Sequence, residues 1–377
     1  MHKRTYKYRI YPTKAQRTSL QKSLDACQWV YNQALAVRRD AWEQEQKLVS
    51  RYDTIRMIPS WKQEHHFLLD AYSQSLQEAC TRVDLAFQAF FRRVKTGSTP
   101  ITDGGEKPGY PRFKGQSRYD SFTYPQSGFV LLDNDRLRLS RIGDLKIKLH
   151  RPIGGKIKRL TIRRDGVGHW HACFSCNVDQ KPLPQIDTVV GVDVGLASFV
   201  TYSSGEKASN PHFFRKEEMA LARAQRRLSK AEKGTLERAR RRKVLSQIHK
   251  RIANKRRDFA HKLSRQLVNS FGVIAFEKLD IVDMMGANYR SMNRSISDAA
   301  WRQFVQFVAY KAEDAGRKFV RVDPRNTSKM CSRCSRLVAK NLYVRVHDCS
   351  SCGLILDRDH NAAINILRLG IQSLALA

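Results

Sequence analysis

Residues 189–195 read Val189-Val190-Gly191-Val192-Asp193-Val194-Gly195, the most informative stretch of the chain for its fold. The run is apolar except at Asp193, which is typical of a strand buried on both faces of a parallel sheet. Burying a carboxylate is costly unless a partner compensates for the lost water. A bound cation would compensate, and the flanking glycines allow a ligand to approach the backbone closely. The alternative is an ion pair with Lys or Arg across the sheet.

Further acidic residues stand at the ends of two other segments. Glu277 ends the apolar run 273–276, and Asp357-Arg358-Asp359 opens the last predicted helix. Simpler explanations exist for both, because a strand often meets water at its first charged residue and acids favour helix N-termini. If these acids converge with Asp193, the three carboxylates from separate segments suit two Mg2+ or Mn2+ ions about 3.5 to 4 Å apart. One of these ions activates water.

The last predicted helix carries two asparagines that capping does not explain, and a histidine beside Asp359. Asn361 and Asn365 are poor helix formers stacked one turn apart, so we expect them to form tertiary hydrogen bonds. His360 adjoins Asp359 and is a candidate to assist at the site. A surface position in the first helical turn is the simpler interpretation of this histidine.

Two pairs of cysteines form the most specific motif in the chain. Cys331-x-x-Cys334 is followed, after fourteen residues, by Cys349-x-x-Cys352. This spacing predicts one structural Zn2+ in a zinc ribbon, and the alternative is a pair of chance thiol clusters. Residues three apart in a strand face opposite sides, so the C-x-x-C of the strand-like stretch near residue 173 is not expected to bind metal. The cysteines interpreted as structural are Cys27, Cys80, Cys173 and Cys176.

The formal charge of +34 over 377 residues points to a polyanionic partner, and nucleic acid is the first candidate. A basic membrane-surface protein is the competing interpretation. The sequence contains no apolar run long enough to span a bilayer, no signal peptide and no lipidation signal. We therefore expect no membrane partner and a soluble, cytoplasmic protein, associated with the nucleoid in a prokaryote.

Changes in hydrophobic period predict an α+β multidomain chain. The final part has the order of an RNase H-like α/β unit, in which two basic helices between 215 and 267 are split at Gly234 and a helix over 298–315 has Ser297 as its N-cap. The predicted segments are a first strand of a β domain at 1–12, a helical domain at 13–96, the remaining β domain at 97–182, the α/β unit at 186–326, a cysteine insert at 327–354, a final helix at 355–370 and a tail at 371–377.

These motifs, taken in order, resemble TnpB. The residues that carry the resemblance are Gly191-Val-Asp193-Val-Gly195, Phe276-Glu277-Lys-Leu279, Thr327-Ser-Lys-Met-Cys331-Ser-Arg-Cys334, Cys349-x-x-Cys352-Gly353 and Asp357-Arg-Asp359-x-Asn-Ala-Ala-x-Asn365. The opening Tyr6-x-Tyr-Arg-Ile-Tyr-Pro-Thr13 and the segment 109–114 also resemble that family. TnpB proteins belong to bacterial and archaeal insertion sequences and are similar to the nuclease half of type V CRISPR effectors.

The resemblance implies a metal-dependent, RuvC-like DNA endonuclease. In that family the three catalytic acids correspond to Asp193, Glu277 and Asp359, which leaves Asp357 as a helix cap. The segments become a helical recognition domain, a β-barrel-like wedge domain and a RuvC-like nuclease domain with a zinc ribbon. A guide RNA, a double-stranded DNA target beside a short motif and cleavage of both strands by one site are also implied. Some relatives have lost the acids, whereas this chain keeps them, so we expect activity.

Candidate nucleic-acid contacts lie in two regions. In the basic helices, the cluster Arg240-Arg241-Arg242 is a candidate for phosphate contacts, with a solvated face as the alternative. Gln74, Gln77 and Lys114 are able to read base edges, and a solvated surface explains them equally well. We expect a monomer. Two other functions remain open: a non-cutting, zinc-containing nucleic-acid-binding regulator and a transposase that joins DNA ends.

Overall fold

The chain folds into two compact units, Met1–Asp179 and Gln180–Ala377. Among the described residues, no helix combines the length and apolar character needed to cross a membrane. Most of the Gly/Pro-rich segment predicted to separate the helical and β segments lies outside the described residues. The computed structural model describes residues 2–96, 109–115, 118–180, 182–280, 284, 290–341 and 343–375.

The first unit begins with a strand, continues with helices and ends with strands. Helix α1 starts at a capping box, because the Thr13 hydroxyl accepts from the Gln16 amide and the Gln16 side chain accepts from the Thr13 amide. Its elements are β1 (His2–Tyr11), α1 (Lys14–Glu45), α2 (Arg51–Arg56), α3 (Ile58–Glu64), a 3₁₀ turn (His66–Asp70), α4 (Ser73–Thr96), β2 (Ser121–Tyr124), β3 (Phe129–Leu132), β4 (Arg136–Leu139), β5 (Gly143–Lys148), β6 (Lys156–Arg164) and β7 (Trp170–Val178).

These strands form a nearly closed seven-stranded sheet of order β2-β6-β7-β1-β5-β4-β3. Strand β1 lies between β7 and β5, so the helices are inserted between β1 and the rest of its sheet. Tyr8 of β1, Leu24 of α1, Leu76 of α4 and Phe174 of β7 belong to one continuous buried core. The helical and β segments, which the sequence analysis treated as separate domains, therefore share a core because the apolar faces of the helices pack on the sheet.

The second unit is built on a five-stranded sheet of order β10-β9-β8-β11-β12. Strands β8, β9 and β10 pair antiparallel, and β8, β11 and β12 pair parallel, which is the predicted RNase H-like arrangement. Its elements are β8 (Val189–Val194), β9 (Ser198–Tyr202), β10 (Lys207–Ser209), α5 (Phe213–Lys230), α6 (Leu236–Ser270), β11 (Val273–Glu277), α7 (Arg290–Ala299), α8 (Trp301–Asp314), β12 (Lys318–Val322), β13 (Val346–Asp348), β14 (Ile355–Asp357) and α9 (Arg358–Ala375).

Helix α9 lies directly on the central strands because two glycines make room for it. A Cβ at Gly191 would lie 2.1 Å from the carbonyl oxygen of Ala363, and a Cβ at Gly370 would lie 2.6 Å from the Cβ of Ala275. Gly370 therefore serves close packing and does not end the helix, so the predicted boundary at residue 370 is wrong and α9 continues to Ala375. The helix begins at Arg358, within the predicted opening Asp357-Arg358-Asp359, and the residues before it, Ile355–Asp357, form a short strand paired with β13.

The helix predicted over 298–315 is two helices. Ala300 adopts a left-handed conformation (φ 54°), which separates α7 from α8. Ser297 is therefore not the N-cap that was predicted. The neighbouring Asp298 caps a different helix, because its carboxylate accepts from the amide of Phe214 in α5 at 3.0 and 3.1 Å and from Nε of Arg256 in α6 at 2.8 Å.

Replacement of Gly191 by alanine tests the contact of α9 with β8. The added Cβ meets backbone rather than a flexible side chain, so the sheet or the helix must shift. We expect Gly191→Ala to lower the free energy of unfolding by about 1–3 kcal/mol, measured by urea denaturation. Gly166→Ala is the control, because a Cβ there meets nothing within 4 Å. Equal stability of the two variants would contradict the close approach.

Candidate active site

The register of the parallel strands brings two candidate acids to one end of the sheet. In the β8–β11 pair, Val192 lies opposite Phe276, so one further residue places Asp193 level with Glu277. A Cβ built at Gly195 would lie 3.9 Å from Oδ2 of Asp359, so the third acid lies beside the segment that follows Asp193. The three acids predicted from the sequence therefore converge at the carboxyl ends of β8 and β11.

Burial and mutual repulsion set the electrostatics of these acids. Burial raises the pKa of Asp193 well above its usual range, and the carboxylates of Glu277 and Asp359 raise it further against the opposing charge of Arg358. Burial also raises the pKa of Glu277, against a hydrogen bond from the Thr327 hydroxyl. Carboxylates that raise the pKa of a neighbour create a local negative potential. A hard divalent cation, with its preference for carboxylate oxygens, fits this donor set.

The alternative for Asp193 was an ion pair with Lys or Arg across the sheet. Within the described parts of the chain, Asp193 has no salt bridge to a Lys or Arg. The cationic side chains reach Asp359 instead. Arg358 donates from Nε and Nη2 to Oδ1 of Asp359 at 3.0 and 2.9 Å, and Nη1 of Arg345 lies 3.6 Å from Oδ2.

The residues around Asp359 have separate roles. Oδ1 of Asp357 accepts from the amides of Asp359 and His360, each at 3.0 Å, so its predicted capping role is confirmed. Asp357 also pairs with Lys207 at 2.8 Å. His360 is half-buried rather than on the surface, because its Nε2 lies 3.2 Å from the carbonyl oxygen of Ser203 in the β9–β10 turn.

The four paired cysteines form a cluster suited to a metal ion. Their Sγ atoms all lie within 4.8 Å of one another, with 3.6 Å between Cys331 and Cys352 and 3.6 Å between Cys334 and Cys349. A tetrahedral site with Zn–S bonds of about 2.3 Å requires S–S separations of about 3.8 Å, so the thiols fit zinc. Among the described residues, no other set of three or more metal-ligating side chains is gathered this closely, the three acids included.

The other cysteines are structural, as predicted. Cys173 and Cys176 point to opposite faces of β7, and only the second faces the core. Cys27 and Cys80 are buried in the first unit. Burial raises the pKa of the Cys27 thiol to about 12, which makes it unreactive.

The predicted tertiary hydrogen bonds of the two α9 asparagines are confirmed. Oδ1 of Asn361 accepts from the Ser332 amide at 2.9 Å, and its Nδ2 donates to the Met330 carbonyl at 2.8 Å. Nδ2 of Asn365 donates to the carbonyls of Thr327 and Met330 at 2.8 and 2.7 Å. Both asparagines are fully buried. They fasten the start of the cysteine insert to the helix that carries Asp359.

The basic helices α5 and α6 form a hairpin whose predicted break at Gly234 is confirmed. Ile248 and Ile252 of α6 pack against α5. In the arginine cluster, Arg240 and Arg242 are exposed, and Arg241 pairs with Glu237 one turn earlier.

The three candidate base-reading residues of the first unit differ in exposure and in hydrogen bonding. Gln77 is exposed on α4, whereas Gln74 accepts a hydrogen bond from Ser127 at 3.3 Å. The backbone of Lys114 is held by both amide atoms of Asn32, at 2.8 and 3.0 Å.

Two residues that contact the acids were missed in the sequence. Thr327 donates to Glu277, and Arg358 holds Asp359. An arginine between two aspartates was a usable signal for the second. The position of Thr327 beside Glu277, fifty residues earlier in the chain, depends on the tertiary fold.

The sheet, the convergent acids and the cysteine insert before the last helix define a RuvC-like α/β fold. Residues 172–288 match a family model described as "Probable transposase" (OrfB_IS605), and residues 301–366 match "Cas12f1-like, TNB domain". Residues 1–47 match a "Helix-turn-helix domain" model, although here they form strand β1 and the continuous helix α1.

Whole-chain relatives show the family. The chain is 35% identical over 383 residues to "Putative RNA-guided DNA endonuclease" of Streptomyces pristinaespiralis, covering 99% of this chain and 90% of the relative. It is 28% identical to "Putative RNA-guided DNA endonuclease InsQ" of Escherichia coli K12, covering 98% and 93%. The chain belongs to the TnpB family. Its fold is similar to the "mini-RNA-guided endonuclease CRISPR-Cas_phi3" structure, with TM-score 0.52, 10% identity and coverage of 98% and 92%.

Proposed function

We propose that this chain is an RNA-guided DNA endonuclease of an insertion sequence, which hydrolyses target DNA next to a short flanking motif. Asp193, Glu277 and Asp359 are the catalytic metal ligands. The observation that carries the proposal is the convergence of these acids at one sheet end, where they raise the pKa of Asp193. The names of the whole-chain relatives support guidance by RNA.

The protein's part in the reaction is to hold carboxylates at fixed positions around the scissile phosphate. Asp193 and Glu277 come from rigid neighbouring strands, and Asp359 comes from the first turn of α9. Two Mg2+ or Mn2+ ions, when bound, supply Lewis-acid activation of water and neutralise the leaving oxygen. Thr327 and Arg358 contribute by orienting carboxylates, since Thr327 contacts Glu277 and Arg358 contacts Asp359.

The partners are a guide RNA and double-stranded target DNA. The formal charge of +34 supports binding of two polyanions. We assign recognition of the flanking motif to the first unit, with Gln74, Gln77 and Lys114 as candidate base contacts. Its helices then correspond to the recognition domain and its sheet to the wedge domain. We further propose a monomer that acts in the cytoplasm, in association with the nucleoid.

The cysteine insert at 327–354 is proposed to be a zinc ribbon that holds one structural Zn2+. The sulfur separations of 3.6 Å support a tetrahedral site. The ion would cross-link two ends of an insert that has little other regular structure among its described residues, since its strand β13 contains three residues and pairs with β14 just beyond the insert.

Replacing the candidate acids tests the reaction. We expect Asp193→Asn, Glu277→Gln and Asp359→Asn each to reduce DNA cleavage by more than the roughly 10–100-fold loss typical of residues that only support ligands. RNA and DNA affinity should remain, because the acids hold metal. Asp357→Ala, which removes a helix cap, should have a smaller effect. Cleavage at the wild-type rate by any of the three variants excludes that acid.

The reaction products also separate the proposal from its rivals. Hydrolysed DNA ends from the wild-type protein with its co-purified RNA support the nuclease. Joined ends indicate a transposase, and RNA-dependent binding without cleavage indicates a regulator.

Elemental analysis of freshly purified protein tests the zinc ribbon. We expect about one zinc per chain, and its loss in Cys334→Ser and Cys349→Ser because each removes a thiolate ligand. Cys173→Ser is the matched control, since that thiol lies on β7 in the other unit, and its zinc content should equal that of the wild type. Unchelated protein without zinc would contradict the assignment.

Charge reversal in the arginine cluster tests its contact with a phosphate backbone. Each phosphate neutralised on duplex DNA contributes a slope of about −0.9 to log affinity against log salt. Replacing Arg240, Arg241 and Arg242 by glutamate should flatten the slope by roughly two units, because one arginine is already paired with Glu237. Thermal melting should remain near wild type, because the Ile248 and Ile252 face is untouched. An unchanged affinity and slope would make the cluster a solvated face.

A further inference from the structure

The first residue of the cysteine insert contacts a candidate acid. Thr327 is 3% exposed, and its hydroxyl lies within hydrogen-bond distance of Oε1 of Glu277 and, at 3.1 Å, of the Pro324 carbonyl. A hydroxyl has one proton, so Thr327 donates it to Glu277 when that carboxylate is ionised. In the described part of the structure, Oε2 of Glu277 has no hydrogen-bond partner. The hydrogen bond therefore fixes one oxygen and leaves the other for a ligand.

A later part of the insert contacts another acid through Arg358. The amide of Arg358 donates to the carbonyl of Arg345 at 2.7 Å, and Nη1 donates to the carbonyl of Val344 at 3.4 Å. The remaining guanidinium nitrogens bind Oδ1 of Asp359 at 2.9 and 3.0 Å. The Arg358 side chain is only 16% exposed, so its position is restricted by these contacts.

The cysteine cluster connects these two parts of the insert. Cys331 and Cys334 follow Thr327, and Cys349 and Cys352 follow the Val344–Arg345 contact. The hydrogen bonds of Asn361 and Asn365 hold the first part on α9 whether or not the cysteines bind metal. The second part reaches α9 through the pairing of β13 with β14, and a metal at the four thiols would join it directly to the first part.

We propose that the cysteine insert is a clamp that positions two of the three candidate acids. Thr327 orients Glu277, and Arg358, held by the carbonyls of Val344 and Arg345, orients Asp359. Both are positioning residues. Loading of the cysteine cluster then controls the affinity of the carboxylate site for divalent cations. This inference rests on the proposed function of the acids.

The Thr327 contact is tested by an isosteric pair of variants. Thr327→Val removes the hydroxyl with little change in shape, and Thr327→Ser keeps it. Mn2+ is titrated calorimetrically into the full-length, zinc-loaded chain, with Asp193→Asn titrated in parallel to identify the carboxylate site. We expect Thr327→Val to weaken Mn2+ binding by about 10–100-fold, with unchanged zinc content and melting temperature, and Thr327→Ser to bind within about threefold of wild type.

Cleavage gives a second measurement of the same effect. Thr327→Val should need more Mg2+ for half-maximal cleavage and should recover towards the wild-type maximum rate when Mg2+ saturates. Wild-type Mn2+ affinity in Thr327→Val overturns the proposal. Failure of Thr327→Ser to restore binding also overturns it, because packing rather than the hydroxyl would then be responsible.

The role of the cysteine cluster is tested by replacing one of its ligands. Cys349→Ser should weaken Mn2+ binding through Asp359, and Tyr343→Ala is the control, since this side chain in the insert is 92% exposed. Unchanged Mn2+ affinity in Cys349→Ser overturns the coupling. If Asp193→Asn itself keeps Mn2+ binding and cleavage, the proposed function fails; if only Thr327→Val and Cys349→Ser resemble wild type, the function stands and the clamp fails.

Discussion

The repulsion among Asp193, Glu277 and Asp359 is the constraint on which the second unit depends. Buried carboxylates that raise the pKa of a neighbour oppose folding unless something offsets their charge. The sheet nevertheless fixes two of them level with each other, because the β8–β11 register leaves no freedom to separate them. The third acid carries its own counter-charge, since Arg358 precedes it in the chain and binds it directly. A divalent cation at this end of the sheet would relieve the remaining repulsion.

Helix α9 combines the close packing and the polar contacts that keep these acids together. Gly191 and Gly370 bring its backbone against the sheet, and Asn361 and Asn365 hold the cysteine insert from the opposite side. Asn side chains are unfavourable in a helix interior unless they gain such bonds. In α9 this unfavourable helix propensity is offset, because the buried asparagines satisfy main-chain groups of a segment with little regular structure of its own.

How much of this fold could be predicted depends on how far apart in the chain the interacting residues lie. Asp193 was recognisable because a lone acid in an apolar strand conflicts with its surroundings, and the paired cysteines were recognisable because four ligands must be spaced for one ion. Local pattern failed where a residue serves a distant element. Asp298, next to the predicted N-cap Ser297, caps α5, and Gly370, at the predicted end of the last helix, packs on Ala275. The contact of Thr327 with Glu277 has the same origin, because nothing near either residue in the chain indicates the other.

The positive surface and the buried acids act on a nucleic acid over different distances. A net charge of +34 attracts a nucleic acid from afar, but screening limits charge–charge interactions in solution to about 8 Å at physiological ionic strength. A surface arginine farther than this from the sheet end therefore contributes little against the repulsion between a scissile phosphate and three carboxylates. That repulsion acts at contact distance in a partly buried environment, where screening is weak. A cation bound between phosphate and carboxylates would offset it at that distance, so a basic surface and a cation-binding centre are complementary parts of the proposed reaction.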